Sequence, residues 1–210
     1  MTRKEQKEMR QQQILFKAME LFVTKGFAET KISDIAEALG ISVGLLFHYY
    51  ESKEALYLEL VKMGVQGTKK SENSPVDDPL EYFESILKGL FSAAKDQPWI
   101  CQMFVLMAQA QRPGTPEDIR TLALSVDQIR FSEVLIMRGQ NAGVIRNGDP
   151  KALSTAFWCA VQGIMEYHAA FPETPLPFTG WILDILKKPQ AGTQMDTAPN
   201  PPGSADAKQA

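Results

Sequence analysis

Apolar residues recur at three- and four-residue intervals along nearly the whole chain, and no stretch alternates apolar and polar residues as a half-buried strand does. Residues 8–25 place Ile14, Leu15, Ala18, Leu21 and Phe22 on one face, which predicts an amphipathic helix closed by Gly26 as its C-cap glycine. Thr30 is placed to cap a second, short helix that ends near Leu39-Gly40. Ser42 begins a third, running to about Tyr50, and Ser52 a fourth, carrying Leu56, Leu60 and Val61 to near Lys70. The polar run 71–78 (SENSPVDD) predicts a break. Beyond it the period predicts helices at 79–96, 98–111, 116–140, 150–171 and 178–188, with Pro98, Pro116 and Pro150 in first-turn or flanking positions. From Pro189 onward the chain turns to Pro, Gly, Ser, Ala, Gln and Asp, too poor in apolar residues to order itself, so 189–210 is expected to be a disordered tail. The class these elements predict is all-α.

Composition changes this picture little. Of 210 residues, 44% are hydrophobic and 22% charged, enough for a buried core in a soluble chain. The formal net charge of −3 is not that of a bulk nucleic-acid binder, so any such role must rest on local features. The first ten residues do lean basic, with Arg3, Lys4, Lys7 and Arg10 against Glu5 and Glu8. Cys101 and Cys159 each sit in an apolar helical pattern and are expected to be buried, reduced thiols. The charged, glutamine-rich opening is unlike a signal peptide, and the apolar runs stop short of a membrane span, so a cytoplasmic setting is expected. No metal-ligand spacing, phosphate-cradling glycine loop or nucleophile elbow is present, so neither an enzyme nor a cofactor is expected.

The chemistry concentrates between Thr30 and Glu54 (TKISDIAEALGISVGLLFHYYESKE). Two short helices joined by Leu-Gly-Ile-Ser make a helix-turn-helix. Ile35, Ala36 and Leu39 form the inner face of the first helix, with Ala36 small enough for a close crossing, and Gly40 permits a left-handed turn. In the second helix Leu46 and Tyr50 share the core side. Val43, Gly44, Phe47 and His48 then point outward, with Leu45 and Tyr49 beside them, where a recognition helix meets base edges. Thr30, Lys31, Ser33, Ser42, Tyr49 and Lys53 offer hydroxyl or cationic groups for phosphates.

These residues carry a resemblance. Ile14-Leu15, Ala18, Leu21-Phe22, Lys25-Gly26-Phe27, Thr30, Asp34-Ile35-Ala36, Leu39-Gly40-Ile41-Ser42, Gly44, Leu46, Tyr49-Tyr50, Ser52-Lys53-Glu54 and Leu56 together resemble the tetracycline-repressor (TetR) family of bacterial regulators. The family often has Lys or Arg at the position of Val43, Thr at Leu45 and Tyr at Phe47, so the outward face here is more apolar, suited to thymine methyls. The resemblance implies an N-terminal three-helix DNA-binding bundle followed by a larger helical domain for ligand binding and dimerisation. The divisions expected are 1–52, 53–188 and the tail 189–210. It also implies a homodimer on double-stranded operator DNA, acting as a repressor released by a small hydrophobic effector.

In the C-terminal part, methionine and aromatic stripes suit either core or an adaptable pocket. The pocket candidates are Phe83, Leu87, Phe91, Trp99, Met103, Phe104, Met107, Trp158, Gln162 and Met165. Ala152, Ala156, Ala160 and Gly163 form a small-residue stripe that admits a second helix. The resemblance implies that the last two helices pair with their copies, adding Trp181, Ile182 and Ile185 to the dimer interface. Ligand-driven movement of helix 79–96 is expected to reach the DNA-binding heads through helix 52–70.

Overall fold

The computed structural model describes residues 2–72 and 76–189, the side chains of 70–72 aside. These residues form ten helices: α1 (Arg3–Lys25), α2 (Ile32–Ala38), α3 (Val43–Tyr49), α4 (Lys53–Glu72), α5 (Pro79–Asp96), α6 (Trp99–Ala110), α7 (Glu117–Ala123), α8 (Gln128–Asn141), α9 (Pro150–Ala170) and α10 (Thr179–Leu183). The fold is all-α, as the periodicity predicts. The expected tail lies, from residue 190 on, outside the described residues.

Local chemistry accounts for most helix ends. Gly26 takes φ +92° after α1 and Gly40 φ +63° after α2, conformations that cost a side chain with a Cβ about 1–2 kcal/mol. Ser42, Asp78, Asp127 and Asp149 each accept a backbone N–H in the first turn of the helix they precede, and Ser52 accepts Ala55 N–H at 3.0 Å. Two predicted elements are corrected. The stretch 116–140 is two helices, because α7 stops at Leu124 and Asp127 caps a new start by accepting Arg130 N–H at 2.9 Å. The stretch 178–188 is helical only to Leu183. Its end is drawn off by Ile145–Arg146, with Arg146 N–H donating to Leu186 O at 2.9 Å and Arg146 Nε to Lys187 O at 3.1 Å.

Two cores divide the molecule. The first joins Ile14, Ala18, Met19 and Phe22 of α1 to Ile35 and Ala36 of α2, Leu46 of α3 and Leu56, Tyr57, Leu60, Val61 and Val65 of α4, and takes in Leu106, Ala110, Ile119 and Ala123 of α6 and α7. The second joins Phe83, Leu87 and Phe91 of α5 to Leu135 and Ile136 of α8, Phe157, Val161 and Met165 of α9, and Leu183 and Leu186. Each fully buried side chain of this size contributes about 1.5–3 kcal/mol. A division at 52/53 therefore falls inside a continuous core that α4 closes. The helix that joins the cores is α6: it packs on α1, α4 and α7 and also on α5 and α9. α5 packs on α6, α8 and α10, whereas α4 rests on α1, α6 and α7, so α6 is in contact with both α5 and α4. Cys101 is buried as expected, and burial pushes its thiol pKa up; Cys159 is exposed on α9, against expectation.

Candidate nucleic-acid interface

The chain bends by 103° between α2 and α3. Ile35 and Ala36 are buried at the crossing, and Ile41 N–H donates to Ala36 O at 3.0 Å, which fixes the turn that Gly40 opens. Ser42 Oγ accepts Leu45 N–H at 3.1 Å and starts α3. Leu46 is fully buried and Tyr50 nearly so, anchoring α3 by one side. Burial and the nearby Glu59 charge push the Tyr50 phenol up to about 12, so it stays protonated at any working pH. Val43, Leu45 and Phe47 remain 39%, 41% and 49% exposed, and Gly44 and His48 are exposed with them. Tyr49 is half-buried, edge-on to His48.

The candidate phosphate contacts are divided by the structure. Lys31, Ser33 and Ser42 are exposed beside the turn. Thr30 is only 1% exposed, and its hydroxyl donates to Gly26 O at 2.7 Å: it ties the α1–α2 corner and neither caps α2 nor reaches outward. The residue before α2 is Lys31, whose N–H donates to Asp34 Oδ2 at 3.1 Å. Lys53 turns inward as well, donating to Phe27 O at 2.7 Å and lying 4.3 Å over the Phe27 ring. An ion pair with Lys25 and the Lys31 N–H hold the Asp34 carboxyl below its ordinary range, clamping the end of α1 to the start of α2.

Beside α3 lies an open groove of about 790 Å³, walled by Glu8, Gln11, Gln12 and Leu15 of α1, residues 47–51, and Ala55, Leu58, Glu59 and Lys62 of α4. Of the groove residues on α1 and α4, the sequence pattern marks Leu15 as part of an apolar face and gives no role to Gln11, Gln12, Ala55, Leu58, Glu59 or Lys62.

The pocket candidates are divided between the two cores. Trp99, Met103 and Met107 pack against the first core, with Trp99 stacked on Phe16 at 5.4 Å. Phe83, Leu87, Phe91, Phe104, Trp158 and Met165 belong to the second core or pack against it. Gln162 bridges α6 and α9, donating to Phe104 O at 3.1 Å and Glu166 Oε1 at 2.7 Å.

On α9, Ala152, Ala156, Cys159, Gly163 and Tyr167 form one exposed stripe, with Ala160 half-buried beside it. Phe171, Phe178 and Trp181 extend it, exposed at 55%, 67% and 68%, while Ile182 and Ile185 are half-buried against the second core. On α8, Val134 and Met137 are also exposed, although sequence reading passed over them. There the usual sorting is inverted. Ser132 is buried because it accepts Trp158 Nε1–H at 2.8 Å, and Gly139 because a Cβ there would meet Ile145 Cδ1 at 2.5 Å. Among the described residues no His, Cys, Asp and Glu group could hold a metal, and no single helix is long and apolar enough to cross a membrane.

Comparison with known proteins bears on this geometry. Residues 14–60, which span α1 to the first half of α4, match the model of the bacterial regulatory proteins of the tetR family. Over 184 residues the chain is 30% identical to the HTH-type transcriptional regulator YfiR of Bacillus subtilis, covering 84% of this chain and 88% of YfiR. The MbdR regulator of Azoarcus sp. CIB shares the fold with a TM-score of 0.69 at 21% identity, over 83% of this chain and 95% of MbdR. AibR, solved in complex with isovaleryl coenzyme A and operator DNA, shares it with a TM-score of 0.62 at 17% identity, over 83% of this chain and 94% of AibR.

Proposed function

Because the chain belongs to the tetR family of helix-turn-helix transcriptional regulators, and is a DNA-binding regulator and not an enzyme, we propose that it acts as a homodimeric repressor that α3 guides into the major groove and a small apolar effector releases. The observation that carries this reading is the outer face of α3. Val43, Leu45 and Phe47 are held in solvent around Gly44 while Leu46, with Tyr50 at the C-cap, anchors the helix. Bulky apolar side chains on a seven-residue helix gain nothing from water, but they match thymine methyls in a major groove that admits one helix. Val43, Gly44, Phe47 and His48 meet base edges, with Leu45 and Tyr49 flanking; Lys31, Ser33 and Ser42 approach phosphates.

One recognition helix spans too few base pairs for useful specificity, so the reading requires a dimer. The exposed α9 stripe from Ala152 to Tyr167, flanked by Val134 and Met137 of α8 and by Trp181, supports a symmetric helix pair against the same face of a second copy. The effector enters the second core among α5, α6, α8 and α9 and acts through α6. At Gly64 of α4, a Cβ would lie 2.5 Å from Met107 Sδ and 3.1 Å from Met103 Sδ, so a shift of α6 is felt directly by the helix that carries α3. The effector releases DNA only by binding the non-DNA state better, and DNA weakens effector binding equally.

The test is a thermal-shift screen of apolar acids and acyl coenzyme A thioesters, the latter included because AibR was solved with one. Hits are then added to the DNA complex. An effector that raises the melting temperature should weaken DNA binding by at least about fivefold. A saturating binder that leaves DNA affinity unchanged contradicts the release step, while the DNA-reading assignment stands on its own binding data.

A further inference from the structure

The helix-turn-helix is short of positive charge. Its one outward-facing cation is Lys31, just before α2; from Ile32 to Tyr49 there is no Lys or Arg, and Asp34 and Glu37 are acidic. Lys53, beside it, is engaged by Phe27. Duplex DNA is nonetheless held largely through neutralised phosphates, so cations beyond Lys31 must come from elsewhere on the same side of the molecule.

α1 supplies them. The first side chain of α1 in the bundle core is Ile14, eleven residues after Arg3, so about 16 Å of helix runs on beyond the core. This overhang is a built helix. Thr2 Oγ1 accepts Glu5 N–H at 3.2 Å and Glu5 Oε2 accepts Thr2 N–H at 2.7 Å, a reciprocal capping box. Glu8, its other acid, pairs with Lys4 at 3.9 Å. Both acids of the overhang are thus occupied. α1 has six cations, and Lys4, Lys17 and Lys25 are paired with Glu8, Glu20 and Asp34. The remaining three, Arg3, Lys7 and Arg10, have no ion pair or side-chain hydrogen bond among the described residues. They stand at i, i+4 and i+7, in line with Ile14, so the face of α1 that is buried in the helix-turn-helix core further on is a basic stripe here. The overhang also adjoins the recognition helix, because Glu8, Gln11 and Gln12 form one wall of the groove whose other wall includes Phe47, His48 and Tyr49.

We propose that the N-terminal turns of α1 are a second DNA-contacting surface, in which Arg3, Lys7 and Arg10 hold backbone phosphates of the duplex that α3 reads. The inference rests on the assignment of α3 as the recognition helix and adds to it. α3 selects the bases, and the α1 stripe adds sequence-independent attraction to the single cation, Lys31, that the helix-turn-helix presents. Charge complementarity and continuity with the α3 surface favour DNA over an acidic protein or a second copy.

The experiment uses the full chain and the duplex that the wild-type protein selects from a random-sequence pool. Affinity is measured against salt for wild type, the triple variant R3Q/K7Q/R10Q and the charge-keeping variant R3K/R10K. The triple variant should bind at least about tenfold more weakly near physiological salt, with its log–log salt slope shallower by about 0.9 per lost contact, or about 2.7 for one engaged arm. It should select the same consensus, and R3K/R10K should follow wild type. An unchanged slope and affinity in the triple variant, with wild type selecting a duplex normally, would overturn the α1 proposal alone and leave the stripe to another partner. If wild type selects no duplex, the α3 assignment fails and this inference falls with it.

Discussion

The outer faces of α3 and α9 are both apolar and both exposed, but they are built from different side chains on different lengths of helix. α3 is seven residues long and presents Val43, Leu45 and Phe47 around a glycine, with no two bulky groups in a continuous row. α9 is 21 residues long, and its face is flat: Ala152, Ala156, Cys159 and Gly163 in register, with aromatic side chains only toward its end. A short knobbed helix suits a groove with walls. A long flat one suits another helix, since small residues let two backbones approach. Exposure of apolar surface thus carries two different meanings here, and shape separates them.

The difference can be broken most severely at Gly163, where a Cβ would meet nothing within 4 Å in one protomer. Gly163→Glu should leave the fold intact by circular dichroism yet convert dimer to monomer in sedimentation, since an unpaired carboxylate buried in an interface costs several kcal/mol. A dimer unchanged by this substitution would remove α9 from the interface. On α3, Leu46→Ala should cost about 2–5 kcal/mol in urea unfolding, because it empties a fully buried site. Phe47→Ala, one residue along, should change stability by less than about 0.5 kcal/mol. Equal costs would mean that α3 has no free outer face. Gly64→Ala probes what joins the two faces. Its Cβ meets Met107 and Met103, whose flexible side chains can give way, so a cost of about 1–3 kcal/mol is expected, with altered effector response. The smallest effect is acid-dependent. Asp34 is held below its ordinary pKa, chiefly by Lys25, so its contribution is present above the unfolded carboxylate range near 3.9 and fades as pH falls through the lower folded value. Asp34→Asn should remove that part of the acid-side slope and nothing above it, in melts run from pH 7 to pH 2.

The same contrast explains what could be read from the chain alone. In the N-terminal unit, single residues have single purposes. Gly26 and Gly40 need positive φ, Ser42 and Ser52 cap helices, and Leu46 and Tyr50, four residues apart, anchor a short helix, so spacing points to geometry. Thr30 and Lys53 misled because residue type shows what a group can contact but not which way it turns; Gly26 O and Phe27 O take both inward. In the C-terminal half an apolar stripe serves core, pocket or partner equally. Met103 and Met107 turn out to face α4, not the second core, and Val134 and Met137 lie outside while Ser132 lies inside. No local pattern carries that information, because it depends on which helix crosses which. The breaks at Leu124 and Leu183 were missed for similar reasons. The first rests on one capping aspartate, and the second on a distant pairing with Ile145–Arg146.

The central claim, that a dimer reads DNA with the outer face of α3, is tested most directly by wild type and Phe47→Ala side by side on the wild type's selected duplex. The account predicts a two-fold symmetric site with half-sites about one helical turn, or about 34 Å, apart. It also predicts a Phe47→Ala protein that melts and dimerises like wild type but binds at least about tenfold more weakly, as for the loss of one good base contact. A selected site without symmetry, or a Phe47→Ala protein that binds it as tightly as wild type, would contradict it.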